Sequence, residues 1–440
     1  MLYTGESVCL LTGPGYNAGR FLRVCNRLLP PFIHTYSASA FAAKAVDSES
    51  FSAVFRIPYG FHLPTSQEIR SLCFNKEASW AFMLGQTGAL VLEQVAMLAS
   101  FQLDNFDEIL QGSYNIGIEK PFADFRMLFI GDPFSLTPIV RKEDQMAVRK
   151  YYPSPYFFDA KAFQQLRPLV IPSNAGAEGM DPAYQALLND IRAGQKVKHL
   201  VSVLNQRVRH QHRSFLEKGI EVVWANEEAQ TRNNWHFTRL QEPEYSYMAE
   251  IKGEFPTRAT HPPQHLRLKE GARVFFAEDD ANNQYYYGEL GTVCELDENR
   301  VVVQKDDGQQ VVVERKKWAH HKWLQHSRRK GEYQEVAWMR QYPLKLGYTI
   351  TLYQSVGLCF ERIYVLKHAK RFSGALLYTA LTRCTSLEGL ELERKLKASD
   401  LQVDKAVQAF VQGEGNTARL EEVMQDVVEK VRASAAKSES

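Results

Sequence analysis

Short apolar runs separated by longer helical patterns constrain this chain more than any other feature. Val8-Cys9-Leu10-Leu11-Thr12-Gly13 reads as a buried strand running into a glycine turn. Leu90-Val91-Leu92 and the run at 126–130 are further strands, with helical patterns between them. Strands alternating with helices in this way predict a parallel α/β sheet. Residues 160–205 read as helical, interrupted at 172–176, and another strand is expected at 220–224. The character changes after about residue 245. Ala272 to Phe276, Gly291 to Leu296, Val301 to Gln304 and Gln310 to Val313 are closely spaced strand segments. The last two flank Asp306-Asp307-Gly308, a turn that favours a hairpin. This predicts a small β-barrel inserted in the α/β chain. The α/β pattern resumes near 336, with strands expected at 349–352 and 362–366. Leu420, Val423, Met424, Val427, Val428 and Val431 then recur at helical spacing, which predicts an amphipathic C-terminal helix.

A chain of 440 residues is long enough for two to four domains. Its net charge is +2, so any polyanion-binding surface is a local patch. The cysteines Cys9, Cys25, Cys73, Cys294, Cys359 and Cys384 form no C-x-x-C pair. That argues against a zinc site or a disulfide framework and for a reducing compartment. No secretory signal and no apolar run of about 18 residues is present. A cytoplasmic or nucleoid-associated protein is expected, neither secreted nor in a membrane.

Thr12 to Phe21 follows a strand and precedes a helical pattern, which is the setting of a phosphate-binding loop. Such a loop needs glycines whose backbone N–H groups wrap phosphate, a lysine, and a hydroxyl for magnesium. Gly13, Gly15 and Gly19 supply the glycines. Gly13 and Gly19, however, lie one position too far apart, Arg20 stands where the lysine belongs, and Phe21 where the hydroxyl belongs. Arginine can pair with phosphate, but as a planar fork rather than a point charge.

Later segments resemble the Pif/RecD type of superfamily-one DNA helicase in order and spacing. Thr35 to Ala43 is similar to that family's Thr-Gly-x-Ala-Ala segment, which lies on the single strand. Phe55-Arg56-Ile57-Pro58-Tyr59-Gly60 resembles the apolar loop that helps split the duplex. Gly131-Asp132-Pro133-Phe134-Ser135-Leu136-Thr137-Pro138 is close to Gly-Asp-x-x-Gln-Leu-Pro-Pro. Tyr353 to Phe360 resembles the His-Lys-Ser-Gln-Gly-Leu-Thr-Phe segment, and Leu377 to Cys384 is nearly intact. The resemblance covers roughly residues 1–412. It implies two RecA-like parallel-sheet domains with an inserted SH3-like β-barrel and a C-terminal helical tail. The expected division is 1–158 for the first RecA-like domain, 159–244 and 336–412 for the two parts of the second, 245–335 for the insertion, and 413–440 for the tail.

The departures from the family cluster on ATP chemistry. Its Walker B pair is Asp-Glu; here Leu92 is followed by Glu93-Gln94. Gln94 is no general base, because an amide accepts no proton at neutral pH. Ser135 replaces a γ-phosphate-sensing glutamine. The family's Tyr-Arg-Gln aligns near Gly176-Ala177-Glu178-Gly179, without its arginine. With the first strand starting at Val8, the family's upstream helix carrying the adenine-binding glutamine is not expected ahead of it. Glu93, Gln94, Asp132 and Arg383 are relict catalytic positions; Gly13, Gly15, Gly19, Arg20 and Arg383 form a relict nucleotide site. An arginine finger alone can be worth roughly 10³–10⁵ in rate.

For nucleic acid, the small donors Ser37, Ser39, Thr351 and Ser355 suit phosphates. Phe55, Tyr59 and His62 stand in or beside the apolar loop. Arg315 to Lys330 holds Lys316, Lys317 and Lys322 among its cations, interleaved with Trp318 and Trp323, with no acid between them. That mixture suits strand binding by charge and stacking. His320, His321 and His326 lack a ligand set for a metal. The sequence thus predicts a helicase-like protein that has lost ATP hydrolysis and binds nucleic acid or serves as a scaffold. It needs no cofactor and has no metal. Its partners are single-stranded or forked DNA, or a protein met through the C-terminal helix or an active helicase. The alternative is an active ATP-dependent helicase with an atypical site for ATP and magnesium.

Overall fold

The computed structural model describes residues 6–19, 21–22, 33–45, 48–58, 60–73, 88–114, 120–173, 176–209, 218–256, 258–324, 332–366, 374–413, 421–423 and 425, without the side chains of 114, 322–324, 332 and 333. Arg20, Tyr59, the Lys322 side chain and almost all of the expected C-terminal helix therefore lie outside the described residues. The chain divides into two compact units. One comprises Met1–Val201, Phe372–Thr382 and Lys397–Ser440; the other comprises Ser202–Arg371 and Arg383–Leu396.

The first unit is built on a parallel sheet. Its strands are β1 (Val8–Leu11), β2 (Ile33–Ser37), β3 (Glu49–Ser50), β4 (Ala89–Glu93), β5 (Arg126–Gly131) and β6 (Leu169–Pro172), in the order β3-β2-β4-β5-β1-β6. All five pairings are parallel. Every residue of β4 is buried, as the unbroken apolar run predicts for a strand covered on both faces. The helical reading of 160–205 is corrected at β6. Leu169-Val170-Ile171 continues the sheet beside β1, beyond residue 158. Two β-branched residues in a run this short are pinned by a tertiary edge, not by local preference. Behind the sheet, Phe51, Phe55, Phe106, Phe122 and Phe129 form a chain of ring contacts with centroids 4.5–6.0 Å apart. Tyr36 joins it edge-on to Phe55 at 4.8 Å.

The second unit holds another parallel sheet and the antiparallel insertion. β7 (Ile220–Val223) starts the sheet. Next come β8 (Tyr245–Met248), β9 (Glu250–Lys252), β10 (His265–Leu268), β11 (Arg273–Phe276), β12 (Leu290–Leu296), β13 (Val301–Lys305), β14 (Gln310–Val313), β15 (Lys316–Leu324), β16 (Glu332–Gln341) and β17 (Leu344–Leu346). β18 (Thr349–Thr351), β19 (Ile363–Val365) and β20 (Leu390–Leu392) complete the parallel sheet in the order β18-β7-β19-β20. The insertion is a five-stranded sheet, β14-β13-β12-β11-β17, with the smaller groups β15-β16-β9 and β10-β8. The expected hairpin forms: β13 pairs antiparallel with β14, and Gly308 turns between them at φ 92°. β16 and β17 carry the antiparallel pairing past residue 335, because Tyr342 and Leu344 are buried in the core with Val274, Phe276 and Val303.

Candidate nucleotide and nucleic-acid sites

The glycine loop leaves the sheet where β1 is flanked by β5 and β6. Thr12 N–H donates to the Gly131 carbonyl at 3.0 Å, and Gly15 turns the chain at φ 67°. Ala18 and Leu22 then bury against Val91 and Ile130. A phosphate loop works by leaving its amides free for the anion. Here the Asn17 side-chain oxygen accepts the Gly19 N–H at 2.6 Å. The Pro14 carbonyl accepts from Ala177 N–H at 2.9 Å, and the Thr12 carbonyl from the Arg192 guanidinium at 3.1 Å. Phe21, in the hydroxyl's place, is 41% exposed.

Glu93 ends β4 with 2% of its surface exposed. The Ser37 hydroxyl donates to it at 2.8 Å and lies 3.0 Å from the Ser48 hydroxyl. Burial pushes the Glu93 carboxyl up to about 7, against the opposing effect of hydrogen bonds from Ser37 and Gln94. Gln94 itself sits in the left-handed region at φ 54°. Asp132 is also buried. It accepts from the Phe134 N–H at 3.0 Å and the Tyr378 hydroxyl at 2.6 Å, with Arg192 at 3.7 Å. Ser135 turns its hydroxyl onto the Asp132 carbonyl at 2.6 Å. Arg192, Tyr378 and Asn17 are thus site residues that sequence reading missed. Asn17 had a local signal, an Asx side chain two residues before a helix start. Tyr378, on the helix Gly374–Leu381, lies in the Leu377 to Cys384 segment that the resemblance marks, whereas Arg192 arrives from the helix Pro182–Ala193 and had no signal.

In the second unit Arg383 is buried and donates to the Ser355 and Leu358 carbonyls at 3.0 and 2.9 Å. It pins a turn that closes on itself. Thr351 N–H donates to the Gln354 side chain at 2.8 Å, and the Ser355 hydroxyl to Leu352 at 2.7 Å.

Several of the residues expected at the strand are buried or engaged within the protein. Ser37, Thr351 and Ser355 are buried, with their hydroxyls engaged inside the protein. Phe55 is enclosed in the aromatic chain behind the sheet. Trp318 is buried and donates its indole N–H to Glu278 at 2.8 Å. Ser39 accepts the Ala42 N–H at 3.0 Å and so caps the Ala40–Ala45 helix. His62 lies 4.0 Å from Glu68. The described cations on and beside β15 do not stand free. Lys316 lies 3.8 Å from Glu278 and Lys317 2.8 Å from Glu335, while neighbouring Arg315 lies 3.8 Å from Glu250.

No family model matches the chain. Individual proteins do. The ATP-dependent DNA helicase Pif1 of Campylobacter jejuni is 24% identical over 67% of this chain and 70% of its own length. The Bacteroides Pif1 structure in complex with ADP-AlF4 superposes with a TM-score of 0.80 at 24% identity, covering 94% of this chain and 95% of that one. The same Bacteroides helicase in complex with ADP-AlF3 and ssDNA gives 0.68 over 94% and 96%. The chain resembles the Pif1/RecD-like superfamily-one helicases in sequence and shares the Pif1 fold. The likeness spans 94% of the chain, which holds two parallel sheets and the antiparallel strands between them. Two strong features of this Pif1 relative, the Glu93–Ser37 contact and the Asn17–Gly19 contact, sit where the family resemblance places its nucleotide chemistry.

Proposed function

We propose that this chain is a helicase-fold protein that binds single-stranded nucleic acid without hydrolysing ATP. The observation that carries the reading is Glu93. A carboxyl that is to hold magnesium must be ionised and reachable, whereas this one is buried, bonded to Ser37 and only half ionised near pH 7. Gln94 beside it brings no base. The Asn17 carboxamide on the Gly19 amide and the phenyl ring of Phe21 support the same reading. The described residues do not fit a magnesium-bound nucleotide. The nucleic-acid half draws on the Bacteroides relative, whose structure was solved with ssDNA. A protein scaffold working beside an active helicase is the reading left if no oligonucleotide binds.

The second reading is an active ATP-dependent DNA helicase. It is favoured by the relative bearing that name and by the retained Asp132 and Arg383. A phosphate-release assay with single-stranded DNA separates the two. The expected result is no turnover above background at millimolar ATP, together with oligonucleotide binding that weakens as salt rises. Robust DNA-stimulated turnover that disappears in Arg20→Ala would establish the second reading instead.

A further inference from the structure

Residues 139–151 of the first unit carry a basic and aromatic surface that no expected motif covers. Arg141 is the hub. Its Nε lies 2.8 Å from Asp144 and 3.5 Å from Glu143, so one arginine engages both nearby acids. Asp144 also accepts the Phe61 N–H at 3.1 Å. The Arg141 guanidinium lies against Gly60, which turns at φ 98°; a Cβ there would meet it at 1.8 Å. The segment at 60–61 is therefore clamped to the start of the Gln145–Tyr151 helix.

With both acids occupied, three cations are left over. Lys142, Arg149 and Lys150 are exposed, and among the described residues none has a carboxylate within ion-pair distance. Arg149 and Lys150 share a helix face with Met146, three and four positions earlier. Met146 is 84% exposed. Tyr151 is 38% exposed, backed by Phe61 in a stacked arrangement at 5.9 Å, with the Lys150 ammonium 5.4 Å from its ring. Phe61 is in turn held edge-on by Phe101 at 5.3 Å. A ring braced from behind and bordered by unneutralised cations is the chemistry of a single-strand platform, where charge follows the backbone and an aromatic takes a base.

We infer that this surface is a binding site for single-stranded DNA, with Lys142, Arg149 and Lys150 on phosphates and Tyr151 against a base. The inference rests on the proposed nucleic-acid reading and names the surface that does the binding.

The test is fluorescence anisotropy of the full chain with a labelled single-stranded DNA oligonucleotide across a salt series. Lys142→Gln/Arg149→Gln/Lys150→Gln removes three phosphate contacts. The slope of log affinity against log salt should become shallower by about 2, at roughly 0.7 per contact, and affinity should fall at least about tenfold at low salt. Circular dichroism confirms that the variant is folded. A second, independent measurement is photocrosslinking of a halogenated-uracil oligonucleotide to the native chain, with the crosslink expected at Tyr151. If the native chain binds and the variant binds equally with an unchanged slope, the surface is wrong and the broader reading stands. If the native chain binds no oligonucleotide, both fall. Unchanged binding together with loss of capture by an acidic protein would assign the surface to a protein partner and overturn the inference.

Discussion

Two basic regions of this protein, 315–317 on and beside β15 and 142–150 around the short helix, reverse what their sequences promise. The stretch from Arg315 to Lys330 contains no acid, yet Arg315, Lys316 and Lys317 all meet carboxylates brought in from elsewhere in the insertion. The stretch from Arg141 to Lys150 contains Glu143 and Asp144, yet both are gathered by Arg141, and among the described residues three cations remain without an acid. Sequence adjacency records which charges are near along the chain. Free charge depends on which side chains the fold brings across. The aromatic partners follow suit: Trp318 is sealed inside, and Tyr151 is left at the surface.

The largest effect expected to sharpen this contrast comes from Trp318→Ala. If the ring is core and not platform, its loss costs stability, by about 3–5 kcal/mol, and leaves single-strand affinity within about twofold. Urea denaturation and anisotropy measure the two. A fall in affinity at unchanged stability would restore β15 as a stacking surface.

Next is Glu93, an acid met by a hydroxyl and an amide where the β15 acids meet cations. Its folded value of about 7 lies above the ordinary 4.5. The folded state therefore keeps a proton that the unfolded chain releases, and stability falls as pH rises from about 4.5 to about 7. Above pH 7 the full cost is about 3 kcal/mol. Glu93→Gln keeps an acceptor for Ser37 and removes the charge. Its stability should lose this pH dependence and exceed that of the native chain by up to about 3 kcal/mol at pH 8. Identical pH profiles for the two proteins would show that the carboxyl is not held protonated.

The smallest effect belongs to Glu335→Gln, which releases Lys317. The pair is half exposed, so stability should change by less than about 0.5 kcal/mol. Strand affinity at low salt should rise no more than about threefold. A larger rise would mean that β15 is a masked binding surface, awaiting removal of its acids.

Much of the scaffold was legible in the chain. β1, β4, β5, β7, β18 and β19 stand where apolar runs occur, and the Asp306-Asp307-Gly308 turn gave its hairpin. These are local signals, set by periodicity and turn chemistry. β6 was not legible, since Leu169-Val170-Ile171 becomes a strand through its partner β1. The candidate sites were legible by position and not by exposure. Ser37, Thr351 and Ser355 fall in the expected segments, but hydroxyls at or just beyond the ends of buried strands turn inward to meet buried partners, Thr351 accepting from the Gln354 N–H and the other two donating. Arg192 and Tyr378 reach Asp132 from far along the chain; Tyr378 falls in the Leu377 to Cys384 segment, but no spacing rule names Arg192 or pairs either with Asp132.

Asn17 bears on any attempt to build the family's phosphate-binding pattern into this loop. Placing a lysine at 20 and a hydroxyl at 21 would restore the missing groups, yet a resident carboxamide would still hold the Gly19 amide. The loop is also one residue longer than the phosphate-binding pattern between Gly13 and Gly19. Excising Asn17 would shorten the loop to the required length and evict the tenant in a single step. Fitting this loop to the pattern therefore begins with a deletion.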